Sequence, residues 1–138
     1  MKRLALTTAA LILAACGASS GGVEVSDIYV AEPMKGRAMT AGYMRLDNTG
    51  EATRIVGASA DVAERVELHT HLDEGGVMKM RQVEGVDVPA GGTVVFEPGG
   101  LHLMMFGVEV PEGTTETNIT LRYENGETVT LTAPIRPR

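Results

Sequence analysis

From Val23 onward, apolar and polar residues alternate in short runs cut by turn residues. VEVSDIYV (23–30) alternates ahead of Pro33, and AGYMRLDN (41–48) closes at NTG. TRIVGASA (53–60), ERVELHT (64–70), VMKMRQV (77–83), VDV (86–88) and TVVFEP (93–98) follow. Near the end, TNITLRY (117–123) and TVTLTAPI (128–135) flank ENGE. Alternation with a period of two places successive side chains on opposite faces of an extended chain. Each run therefore predicts a strand with one face on a core. DEGG (73–76) and ENGE predict hairpin loops, because Gly and Asn tolerate the positive φ that tight turns require. Only DVAERVEL (61–68) has a weak helical period, and ERVEL within it also alternates. Eight or nine short strands without a helix predict an all-β domain, an antiparallel β-sandwich or barrel.

One run raises a chemical question. PGGLHLMMFG (98–107) reads as a buried strand with a histidine in its middle. Extended geometry sends Leu101, Leu103 and Met105 to one face, where they serve a core. His102 and Met104 then share the other face, which offers one imidazole and one thioether to something else.

Composition narrows the classes of partner. The chain has 138 residues, enough for one domain, and a net charge of −6 with no basic patch, so nucleic acid is not an expected partner. Its first residues are set apart from the fold. MKRLALTTAALILAAC (1–16) has a basic start, an apolar run too short for an ordinary membrane span, and then small residues, which is the pattern of a secretory signal peptide. LAAC (13–16) resembles the bacterial lipobox, which implies cleavage before Cys16, lipid on Cys16 and attachment to a membrane. Cys16 is the chain's one cysteine, so it has no disulfide partner within the chain, and lipidation gives it a role. The expected organisation is a signal peptide at 1–15, a lipidated cysteine and flexible tether at 16–22, and a single domain at 23–138.

The three histidines are His69, His71 and His102. His69, Met80, His102 and Met104 are spaced as H-x10-M-x21-H-x-M. Together with VELHTH, GVMKMRQVEGVDVPAGGTVVFEPGGLHLMMFG and ENGETVTLTAPI, this spacing resembles the periplasmic copper chaperones called PCu(A)C, over roughly residues 23–135. The resemblance implies a cupredoxin-like antiparallel β-sandwich of Greek-key type. It implies one Cu(I) per chain, held by His69, Met80, His102 and Met104, with Cu(II) held more weakly. It also implies a periplasmic carrier, not an enzyme, that delivers copper during assembly of cytochrome oxidase. The acceptors would be the oxidase copper subunit or a thiol-bearing assembly factor. His71 and Met78 are secondary candidates, since each shares a strand face with one of the four.

The residue types agree with that chemistry on their own terms. Thioether and imidazole are soft to intermediate, neutral donors that suit Cu(I) better than Zn(II) or Mg(II). A blue-copper electron carrier needs a cysteine ligand, and a structural zinc site needs cysteine or more histidine. Met34, Met39, Met44 and Met105 are read as core filler, the usual role of methionine in a strand. Glu64, Glu67, Asp73 and Glu74 are read as a solvated face. The chain contains no G-x-S-x-G, C-x-x-C, H-E-x-x-H or phosphate-loop motif. Two other classes stay open at this point, a small copper redox enzyme and a metal-free structural β-sandwich lipoprotein.

Overall fold

The computed structural model describes residues 19–20 and 22–138. The expected signal peptide and Cys16 lie outside the described residues. Eleven strands occur in chain order: β1 (Ser19–Ser20), β2 (Val23–Ala31), β3 (Met39–Asn48), β4 (Thr53–Ala60), β5 (Arg65–Asp73), β6 (Met78–Gln82), β7 (Val86–Val88), β8 (Thr93–Phe96), β9 (His102–Phe106), β10 (Glu116–Tyr123) and β11 (Thr128–Arg136). The surplus over the expected eight or nine includes β1, a two-residue element that no run marked. No helix occurs among the described residues.

The strands run in the order β2-β11-β10-β4-β5-β9-β3, and β3 pairs back onto β2. That last pairing closes the sheet into a barrel and leaves no free edge along the ring. Every ladder is antiparallel except the short β2–β11 pairing, where Ile135 and Arg136 run parallel to Val30 and Ala31. A register shift between Ser26 and Tyr29 accompanies Asp27 at φ 51°, a bulge that re-aims the second half of β2.

Alternation builds the core as the sequence pattern requires. On β10, Thr117, Ile119, Leu121 and Tyr123 are buried while their neighbours are not. Met44 and Leu46 from β3, Phe96 from β8, and Leu103 and Met105 from β9 meet Ile55, Ile119 and Leu121 in one cluster. Burying a side chain of this size contributes roughly 1.5–3 kcal/mol each relative to exposure. Met44 and Met105 are thus core filler, as expected. Met34 and Met39 are not, since they are 55% and 42% exposed. Met39 shares its strand phase with Tyr43 and Arg45, which point away from the core, and Met34 lies in the turn before β3.

The hairpin loops fall where Gly and Asn predict them. Between β5 and β6, Glu74 N–H donates to Val77 O at 2.9 Å, and Gly76 N–H donates to an Asp73 carboxylate oxygen at 2.7 Å. Gly75 and Gly76 both take positive φ there. This loop sets the β5–β6 register, with Asp73 opposite Met78 and His71 opposite Met80.

Candidate metal centre

Ladder registers gather the predicted residues on the outer face of the barrel wall. On β9, Leu103 and Met105 are fully buried in the core, so His102 and Met104 face outward, as the alternation required. On the same face of β5 stand Glu67, His69 and His71. His69 lies directly opposite His102, and Glu67 opposite Met104, across the β5–β9 ladder. On the other side of β5, β6 brings Met80 opposite His71. Direct pairing of β6 with β5 and of β5 with β9 thus sets the three strands that carry these residues side by side.

The imidazoles lie in tilted contact along this face. The His102 ring centroid lies 5.1 Å from that of His71 and 5.7 Å from that of His69. His102 is 2% exposed and His69 9%. Buried imidazoles need partners, and each has one on a single nitrogen. The Gly100 carbonyl accepts from His102 Nδ1 at 3.1 Å and from His71 Nδ1 at 3.3 Å. A carbonyl only accepts, so both Nδ1 atoms carry the proton and both Nε2 atoms keep a lone pair. Glu67 accepts from His69 Nε2 at 2.8 Å, which leaves the lone pair of His69 on Nδ1. His69 Nδ1 and His102 Nε2 are buried without a hydrogen-bond partner. An imidazole tied by one nitrogen to a carboxylate or carbonyl, with the other lone pair free, is the arrangement of a metal-binding histidine.

Burial keeps the His102 ring ready to donate. Burial lowers the pKa of His102 from its ordinary 6.5 against the opposing effect of the Gly100 bond, and His71 and His69 lower it further. Glu67 is held below the usual carboxylate range, first by its bond to His69 and then by Arg65. Glu67 is therefore not simply part of a solvated face. Its second oxygen pairs with Arg65 Nε at 2.8 Å, and the Arg65 guanidinium lies over the Phe106 ring at 4.4 Å. Glu74, by contrast, pairs with Lys79 and Arg81 in exposed bridges, in keeping with a solvated role.

A cavity of about 230 Å³ opens beside these rings. His71, Met80, His102 and Met104 line it. His69 is not among the lining residues and joins the group through its contact with His102. Met78 is exposed, opposite Asp73, and does not line the cavity. Met34 and Met39 do line it, with Ala41, Tyr43, Arg37 and Arg138. Sequence reasoning passed over these residues. The shared phase of Met39 with Tyr43 and Arg45 was the signal that could have placed it. Among the described residues no three of His, Cys, Asp and Glu form a metal-holding group.

The all-β, cupredoxin-like fold matches that of PCuAC domains among solved structures. The copper-bound PCuAC domain from PmoF2 superposes with a TM-score of 0.72 at 18% identity, covering 87% of this chain and 97% of that one, a likeness of fold. Apo-DR1885 from Deinococcus radiodurans is 28% identical with a TM-score of 0.66, covering 99% of this chain and 93% of that one. Its Cu(I) form is 29% identical with a TM-score of 0.65, covering 83% of this chain and 76% of that one. Residues 23–135 match the family described as "Putative lipoprotein LpqE-like", and the chain belongs to that family. A relative from Leifsonia xyli subsp. xyli (strain CTCB07), "Putative lipoprotein Lxx21020", is 34% identical over 123 residues, which span 87% of this chain and 73% of the relative.

Proposed function

We propose that this protein is an extracytoplasmic Cu(I) carrier that holds one ion through His69, Met80, His102 and Met104, with His71 as an adjacent imidazole. The observation that carries this reading is the pair of directly opposed histidines, each with a buried lone-pair nitrogen that has no partner. Two thioethers on the same barrel face supply the soft donors that favour Cu(I) over Zn(II). The likeness to Cu(I)-DR1885 supports the same choice of metal.

The mechanism is ligand exchange. Every proposed donor is neutral, so the ion keeps its single positive charge and no electron moves. An acceptor's ligands enter one at a time as thioether and imidazole leave. Thiolates are better donors for the soft ion, so transfer runs toward a thiol-bearing assembly factor or an oxidase copper subunit. We place the protein on a membrane through lipid on Cys16, in keeping with the lipoprotein names of its family and relative.

A competition titration of the purified protein against a Cu(I) chelator, with Zn(II) and Cu(II) controls, tests the binding. One tightly held Cu(I) with much weaker Zn(II) is expected, and absence of Cu(I) uptake would overturn the reading. Transfer is followed by NMR after mixing the loaded protein with an apo acceptor.

A further inference from the structure

The cavity beside the histidines holds more sulfur than one copper ion needs. Seven large apolar side chains are exposed among the described residues, and four of them are Met34, Met39, Met78 and Met80. Three of these four, Met34, Met39 and Met80, line this cavity, while Leu72, Val77 and Val95 lie away from it. Scattered exposed apolar residues are ordinary. A concentration of thioethers in a cavity whose lining includes no leucine or valine points to the sulfur atom and not to apolar area.

Backbone geometry fixes both extra methionines. Met39 sits opposite Phe106 in the β3–β9 ladder, and Ala41, two residues on, sits opposite Met104. Met39 is therefore the diagonal neighbour of Met104, about 7–8 Å away between backbones and within reach of two long side chains. Ala41, the small residue between them, leaves the cavity floor open. Met34 begins a turn closed by Arg37 N–H donating to Met34 O at 2.8 Å, with Gly36 at φ 78° in its third position. That φ suits glycine and makes the turn type II-like, which carries Met34 to the cavity mouth.

We propose that Met34 and Met39 form an outer capture position for Cu(I), from which the ion passes to the inner histidine and methionine set. The inference rests on the copper reading above and adds a route of entry to it. Two thioethers bind Cu(I) weakly and exchange it fast, and the guanidiniums of Arg37 and Arg138 on the same cavity oppose a long stay by a cation. The inner set adds imidazole, with His69 and His102 buried, so the gradient of affinity runs toward the histidines. Each step breaks one copper–sulfur bond as one bond to an inner nitrogen or sulfur forms, and copper stays in the +1 state.

The test uses full-length protein labelled with ¹³C at the methionine methyl groups and titrated with Ag(I) nitrate, a redox-inert soft ion. The Met80 and Met104 methyls should shift during the first equivalent. The Met34 and Met39 methyls should shift in fast exchange as more is added, while the core methyls of Met44 and Met105 stay in place. In the Met34→Leu/Met39→Leu double variant the weak phase should vanish, and loading from a Cu(I) chelate should slow on the order of tenfold. Unmoved core methyls report that this variant is folded. Response at Met80 and Met104 with none at Met34 and Met39, or unchanged loading in the variant, would overturn the outer position alone. No response at any methionine would overturn the copper reading with it.

Discussion

His69 and His102 stand directly opposite each other across the β5–β9 ladder, and each presents its unpartnered lone pair through a different nitrogen. For His69 the nitrogen is Nδ1, because Glu67 takes Nε2; for His102 it is Nε2, because Gly100 takes Nδ1. The tautomers are thus set by neighbours before any metal arrives.

Glu67 should matter to copper without touching it. Glu67→Ala frees His69 to flip or change tautomer, and Cu(I) affinity should fall about 10- to 100-fold. Glu67→Gln keeps an acceptor oxygen and should recover part of that loss. Chelator competition measures the affinity, and ¹⁵N chemical shifts of the His69 ring report its tautomer. An unchanged tautomer in Glu67→Ala would count against this positioning role.

Met80→Leu and Met104→Leu remove sulfur while nearly conserving apolar volume, so the fold should persist in each. Cu(I) affinity should drop by at least about tenfold in each, equal to about 1.4 kcal/mol. Chelator competition reads the affinity, and circular dichroism reads the fold. Parent-like affinity in both variants would remove these sulfurs from the site.

Acid should weaken the fold through His102. Its folded pKa lies below the unfolded value of 6.5, so the unfolded chain binds the proton first as pH falls. The contribution is full above pH 6.5 and is lost as pH falls from there through the lowered folded pKa. Urea midpoints measured between neutral and mildly acidic pH should therefore decline. The decline should be shallower in His102→Gln, which has no titrating ring.

Leu103→Ala should separate core from site. Leu103 is fully buried beside His102 in sequence but on the opposite face of β9. Truncation should cost about 2–5 kcal/mol of stability. In the fraction that stays folded, Cu(I) affinity should change little. Denaturant titration and chelator competition on the same sample read both quantities.

The strands were legible because alternation is a local signal. β4 and β7 begin and end where TRIVGASA and VDV do. The outward turn of His102 and Met104 was legible for the same reason. Partner choice between strands is a long-range property, so closure through β2–β3 and the pairing of β5 with β9 were not readable from any single run. Met39 was misplaced because its strand was begun at Ala41; two residues more would have set it in phase with Tyr43 and Arg45. Glu67 shares a strand face with His69 and His71 and could have been suspected from that alone. Met34 sits in a turn, where no periodicity tells inside from outside.

The carbonyl of Gly100 accepts hydrogen bonds from rings on two different strands. It belongs to the turn Glu97–Gly100, closed by Gly100 N–H donating to Glu97 O at 3.0 Å, with Gly99 at φ 84°. A main-chain acceptor is indifferent to the identity of its own side chain, so no replacement at position 100 deletes the oxygen itself. The two imidazoles are thus aligned by a peptide group whose orientation is inherited from Pro98 and Gly99. Heredity can reach that alignment only by reshaping the loop, which makes Pro98 and Gly99, residues with no donor atom to offer copper, custodians of the geometry of the rings.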